Sequence, residues 1–481
     1  METVTFPFFS FLKTSAGLLV LAVVSLVLGE PTESRAQQRV PAQARSAGAT
    51  SVTADSLTIE RVVDHVLETY PSIAASRKGV DAAEARVGQA RSGYWPRVEA
   101  VGTYRRQDPV PEISVPGAPS GPNQPGGERT VGIQPNNLYD GHLQVRQTLY
   151  DFGRTRARVD QARAGRRAAE RRVDTERSDL AFQAIEAYYT TFLADAQARV
   201  QRRQIEQLEQ TLEVVRRRQE AGAVTEFEIQ STLSRLSQAR SRLTRLQSQR
   251  KSQEAELGRL LGRAPGELAL SGTLDSLTTT SSPDEVDALA DSALLQHPSV
   301  RVAQARLQTT RRQVQVADQS DAPTLALTAE GGVKNGYPDD LNEPRLNQAV
   351  GLSLRVPLFE GFATERRMEE AEAEVQAAQA RLTDVRRQVE AGVEQVASTL
   401  RARLDQLEST KTRLEQARTA AQLARTRYEA GTVTNLELLE AETELRRARL
   451  ARTEVQYEVV MGRYALRRAA GTLLPFETSA P

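Results

Sequence analysis

Apolar positions along this chain follow three rhythms. The first is an uncharged, mostly apolar run from Ala16 to Leu28, preceded by Lys13. Such a run is too short to cross a bilayer comfortably as a helix and has the length of the hydrophobic stretch in an export signal. Ser34-Arg35-Ala36 then sets small residues where a signal peptidase reads, so cleavage is expected after Ala36. Residues 1–36 are read as signal peptide and 37–56 as a disordered N-terminal segment. No later segment has 18 uninterrupted apolar residues, so any further membrane crossing must be made by strands.

The second rhythm is close to heptad. Val389, Val393, Val396, Leu400, Leu404, Leu407 and Leu414 make one narrow stripe, with Arg, Glu and Gln elsewhere. A helix with so narrow a stripe needs partner helices along its whole length. The third rhythm has period two and occurs four times. Val98, Ala100, Gly102 and Tyr104 alternate with charged and polar residues, as do Leu143, Val145 and Leu149. Leu325, Leu327 and Ala329 follow the same rule, and so do Val350, Leu352, Leu354 and Val356. Each run has the length of an outer-membrane strand, apolar on one face and polar on the other.

These rhythms are written twice. Tyr70-Pro71-Ser72-Ile73 matches His297-Pro298-Ser299-Val300, 227 positions on. Glu220-Ala221-Gly222-Ala223-Val224-Thr225 matches Glu429-Ala430-Gly431-Thr432-Val433-Thr434, 209 positions on. The offset changes once, between Pro96 and Thr148, where a Pro- and Gly-rich stretch from Asp108 to Gly127 is read as a longer loop of the first repeat. Each repeat then has the same plan. The first, 57–262, holds a helical segment (57–93), a β-hairpin at 96–149 and a long helical hairpin at 153–261. The second, 284–471, holds a helical segment (284–320), a β-hairpin at 323–358 and a helical hairpin at 362–470. A linker at 263–283 joins them and 472–481 is a tail. Long helices over 153–221 and 362–430 reach roughly 100 Å, which no globular domain needs. Ser282-Pro283-Asp284-Glu285, Thr225-x-x-Glu228 and Thr434-x-x-Glu437 supply helix-start signals at the expected boundaries.

Composition narrows the reading. With 39% hydrophobic, 26% charged and 5% aromatic residues, the chain is poor in material for several compact cores and suits extended coiled coil. A net charge of +1 argues against a nucleic-acid-binding face. The absence of Cys excludes disulfides, thiolate metal sites and a lipid anchor on an N-terminal Cys. Four strands cannot close a barrel and an open edge in lipid is not tolerated, so inserted strands require oligomerisation, and three copies supply twelve. Tyr94, Trp95, Tyr139 and Tyr150 near the strand ends suit an interfacial girdle.

The motifs Pro71-Ser72-Ile73, Leu149-Tyr150-Asp151-Phe152-Gly153, Tyr188-Tyr189-Thr190-Thr191-Phe192-Leu193, Pro357-Leu358-Phe359-Glu360-Gly361 and Tyr428-Glu429-Ala430-Gly431-Thr432-Val433-Thr434, in their order, spacing and duplication, resemble the outer-membrane efflux protein family of TolC-like channels. The resemblance covers Leu57 to Gly471. It implies a mixed fold of helices and transmembrane strands: a homotrimeric twelve-stranded β-barrel continued by a periplasmic barrel of twelve helices. It implies location in the cell outer membrane with a periplasmic extension. It further implies the outer-membrane channel of a tripartite efflux or type I secretion system, with a periplasmic adaptor and an inner-membrane pump of RND, ABC or MFS type as partners. The adaptor-docking turns fall on Gly222, Ala223, Val224 and Thr225 and on Gly431, Thr432, Val433 and Thr434. The pore constriction falls on Glu437, Glu440, Glu228 and Tyr428. Where the family's type member has a basic gate residue, this chain has Val433, expected to face Phe227, so an apolar contact is expected there.

The acids at 228 and 437 also suit a simpler role, as capping acids at a helix start. His65, His142 and His297 lie far apart, outside metal-ligand spacing, and His297 is expected to pack at a helix break. No phosphate loop or nucleophile motif stands out, so neither an enzyme nor a cofactor is expected. The competing reading is a periplasmic coiled-coil spacer without channel activity, which the long helices alone would suit and the paired amphipathic strands do not.

Overall fold

The computed structural model describes residues 57–118, 127–264, 270 and 297–474. The signal peptide, the segment at 37–56, nearly all of the linker, the Ser282 cap and the helical stretch at 284–296 lie outside these described residues. The chain divides into a strand unit, at 92–152 and 322–357, and a helical unit.

In the strand unit, β1 (Arg97–Arg106), β2 (Glu112–Ala118), β3 (Gly127–Gly132) and β4 (Asn137–Tyr150) come from the first repeat. The second supplies β5 (Thr324–Lys334) and β6 (Arg345–Arg355). The principal sheet has the order β1-β4-β5-β6 and is antiparallel throughout. Its register brings the separate stripes into line. Val98, Val145, Ala329 and Val350 form one row across four strands, and Glu99, Gln144, Glu330 and Ala349 form the next. The polar face satisfies itself both across strands and along them: the Gln144 amide of β4 donates to Glu330 of β5 at 2.6 Å, and within β4 His142 Nδ1 lies 2.8 Å from Asp140. Among the described residues nothing covers the apolar face, with Val350 77% and Leu352 67% exposed. A register shift between Thr148 and Tyr150 sets Tyr150, in place of Leu149, opposite Leu325.

The stretch from Asp108 to Gly127, expected as a plain loop, is partly strand. β2 and β3 pair as a second, two-stranded sheet with Ile113 opposite Val131. Their β-branched residues sit among so many Pro and Gly that the period-two signal is lost.

In the helical unit, the expected first helix is broken into α1 (Ile59–Thr69) and α2 (Pro71–Arg91). Pro71 forces its predecessor out of helical geometry, and Tyr70 is extended at φ −70°, ψ 132°. Then come α3 (Arg154–Glu220), α4 (Glu226–Leu261), α5 (Pro298–Asp318), α6 (Ala363–Glu429) and α7 (Asn435–Ala469). The long helices α3 and α6 have 67 residues each, about 100 Å at the α-helical rise. Two consecutive left-handed residues precede each, Phe152-Gly153 and Gly361-Phe362, so one Phe per junction occupies a conformation that favours glycine.

Both hairpins pack as the heptad stripe requires. Val389, Val393 and Leu400 of α6 are buried with Val300 and Leu307 of α5 and Val459 and Leu466 of α7. Gly462 lets α7 come close, since a Cβ there would stand 3.0 Å from Leu400 Cδ1. A second core joins Val62, Val63 and Val66 of α1 to Leu180, Ile185 and Tyr188 of α3 and Leu257 and Leu260 of α4. Within it the Tyr188 hydroxyl donates to the Leu57 carbonyl, and burial pushes the Tyr189 hydroxyl far above its usual pKa. His297 caps α5, its Nδ1 accepting from the Ser299 amide at 3.2 Å, and burial lowers its pKa, with Arg468 adding to the shift.

Candidate functional site

The two helical turns, α3 to α4 and α6 to α7, are built by the same local rule. Gly222 and Gly431 are left-handed, at φ +70° and +77°. Around the first, Ala223 N–H donates to Arg218 O at 2.8 Å and Gly222 N–H to Gln219 O at 2.9 Å. Around the second, Thr432 N–H donates to Arg427 O and Gly431 N–H to Tyr428 O, both at 2.9 Å. This six-to-one plus five-to-two pattern satisfies the last carbonyls of a helix and reverses the chain in four residues. Gly222, Ala223 and Thr225 are exposed, as are Gly431, Thr432 and Thr434. Val224 and Val433 instead turn inward onto a buried cluster of Leu208, Leu212, Val215, Ile229, Leu438 and Leu439. Phe227, expected to face Val433, is 78% exposed and outside that cluster.

The helix starts beyond the turns differ. Thr434 caps α7, accepting from the Glu437 amide at 3.3 Å and donating to the Glu437 carboxylate at 3.1 Å. Thr225 makes no side-chain cap on α4, although the sequence has the same Thr-x-x-Glu form. Its partner acid is engaged elsewhere. Glu228 accepts from the Tyr428 hydroxyl at 3.4 Å, across the gap between the two hairpins.

Tyr428 is 2% exposed and has a second partner from the first hairpin. Arg218 Nη1 donates to the Tyr428 carbonyl at 2.5 Å, and its guanidinium lies 4.7 Å from the ring centre. Burial raises the pKa of the Tyr428 hydroxyl, Glu228 adds to this and Arg218 opposes it. A third tie is fully buried: Asn435 Nδ2 donates to Thr232 Oγ1 at 3.2 Å, and Thr232 Oγ1 donates to the Glu228 carbonyl. Glu437 and Glu440 are exposed, and Glu440 makes no hydrogen bond or ion pair among the described residues. The buried acid of this region is Glu442, 5% exposed, whose Oε1 accepts from Arg425 at 3.2 Å. Burial raises its pKa and Arg425 partly offsets the rise.

The structure therefore brings Glu228 and Tyr428 together and leaves Glu437 and Glu440 on an open helix face. Sequence reasoning missed Arg218, Thr232, Asn435 and Glu442. For Glu442 a signal existed, since it interrupts the apolar series Leu438, Leu439, Leu445 and Ala448. Arg218 carried none, because its carbonyl partner is 210 residues away. Chemically, the arrangement is a set of polar ties between two helical hairpins. Among the described residues there is no group of acids and histidines that could hold a metal.

The model of the outer membrane efflux protein family matches residues 62–263 and 289–472 of this chain. Protein CyaE of Bordetella pertussis is 26% identical over 431 residues, covering 87% of this chain and 85% of the relative. The alkaline protease secretion protein AprF of Pseudomonas aeruginosa is 26% identical over 341 residues, covering 70% of each chain. Among solved structures, the outer membrane protein VceC from Vibrio cholerae has the same fold, with a TM-score of 0.68 at 22% identity over 86% of this chain and 96% of that one.

Proposed function

The chain belongs to the outer membrane efflux protein family, and from that premise we propose that three copies close one twelve-stranded barrel, with their long helices forming the periplasmic duct. It is the outer-membrane channel of an efflux or type I secretion system and works with other components of that system.

The observation that carries the trimer is the state of the principal sheet. β1 and β6 each have a sheet neighbour on one side only, and the sheet's apolar face is bare. A soluble sheet buries such a face and a lipid-facing one cannot leave its edges unpaired. Pairing β6 of one copy with β1 of the next removes both defects. The same bare face disfavours a spacer without channel activity.

At the helical turns, Gly222 to Thr225 and Gly431 to Thr434 dock a periplasmic adaptor, which couples the duct to an inner-membrane pump. Glu437 and Glu440, repeated three times, form an acidic narrowing that favours cations. Tyr428 and Glu228 hold the narrowing shut by tying the hairpins together, and Arg218 joins that tie. The test is negative-stain microscopy with native mass measurement on protein extracted from the outer-membrane fraction. A threefold particle well over 100 Å long is expected. A monomer or a soluble rod would overturn the duct.

A further inference from the structure

The helical unit contains an open cavity of about 1620 Å³, away from the turns, lined by one face each of α2, α3, α5 and α6. The lining positions on each helix recur at three- and four-residue steps, as on α3 at 158, 161, 162, 165, 168, 169 and 172. These helices pack in the order α2-α3-α5-α6, so they form a layer bowed around the cavity. Most of the wall is Ala, Gly, Ser and Thr, and five arginines stand out from it: Arg86, Arg158, Arg172, Arg306 and Arg381.

Their surroundings set them apart from other arginines of the same helices. Away from the cavity, Arg163, Arg166 and Arg171 of α3 hold Asp160, Glu84 and Asp174, and Arg366 of α6 holds Glu369. Among the described residues, none of the five wall arginines is in an ion pair, and all five are exposed. Among the described residues the wall has three acids, Glu176, Glu374 and Asp384, which are outnumbered by the arginines and form no ion pair with them. A concave surface with fixed like charges and low-dielectric walls concentrates the opposite charge.

We propose that this arginine wall is the cargo-facing surface of the duct and that it draws carboxylate-rich, anionic cargo. The proposal rests on the duct reading, because only a closed ring of such layers puts the wall around a passage. Guanidinium groups on a wall of small side chains are free to meet carboxylates in pairs while leaving room for the cargo to move on. The surface selects by charge and not by shape, which suits passage better than retention.

The chain has no cysteine, so one introduced thiol reports the local field. Ala169→Cys in the wall is labelled in the assembled protein with an anionic and a cationic methanethiosulfonate, each rate divided by that on a free thiol. The anionic reagent is expected to lead by about tenfold. The lead should fall to near parity when all five arginines are changed to Gln. Excess poly-glutamate should slow labelling of the parent and spare the Gln variant, while poly-lysine should spare both. Equal corrected rates for the two reagents on a threefold parent particle would overturn the arginine wall alone, as would a lead unchanged in the Gln variant. If the Gln variant does not assemble, the parent's own ratio decides. A parent that is not threefold would instead overturn the duct.

Discussion

The turn at Gly222 and the turn at Gly431 follow one backbone path and divide the side-chain work between them. At the second, Thr434 and Glu437 satisfy one another, so α7 starts on a closed local cap. At the first, Thr225 leaves its helix start uncapped, and Glu228 reaches instead to Tyr428 of the other hairpin. Arg218 adds a further tie from the same hairpin to the same tyrosine. The difference teaches that one short motif has two physical outcomes. A carboxylate spent on its own helix end fixes local order, and one spent on a neighbour fixes the relation between two helices.

The strongest way to break this comparison is to remove the ties and leave the cap. Arg218→Gln with Tyr428→Phe deletes two hydrogen bonds, one from a charged donor, together with a cation–π contact. Such bonds contribute about 1–3 kcal/mol each. Single-channel conductance in planar bilayers is expected to rise about tenfold, and an unchanged conductance would remove the ties from gating. The caps come next. Thr434→Ala should cost about 1 kcal/mol, read as roughly fivefold faster amide exchange in the first turn of α7. Thr225→Ala should change the first turn of α4 by less than about twofold, and equal effects at the two sites would erase the asymmetry. The exposed acids should have a modest effect. Glu437→Gln with Glu440→Gln should lower cation preference by about twofold to threefold. Unchanged selectivity together with unchanged block by multivalent cations would count against an acidic narrowing.

What was legible in the sequence follows from the range of each interaction. Strand faces were legible because alternation is local, and the observed register aligns Val98 with Val145, Ala329 and Val350. The long helices were legible to within a residue at each end because a duplicated motif brackets both. The break at Tyr70 was overlooked although Pro71 was in view, since the apolar spacing continues past it. β2 and β3 were hidden by the turn residues around them. At the turns, Tyr428 and Glu228 were reached through family resemblance, whereas Arg218 and Asn435 depend on how two hairpins pack. Position along the chain says nothing about that.

The lengths of α3 and α6 have a consequence for how such a chain is able to change over generations. Both helices have 67 residues, and their first and last residues differ by the same 209 positions. Losing one residue from either would rotate everything beyond it by about 100° and draw its turn back by about 1.5 Å. Glu228 and Tyr428, on opposite hairpins, would no longer meet. Insertions and deletions are therefore barred from the long helices unless both hairpins change together. The connection from β1 to β4 bears no such constraint. The offset between the matching motifs changes there, and β2 and β3 pair as a sheet within that connection.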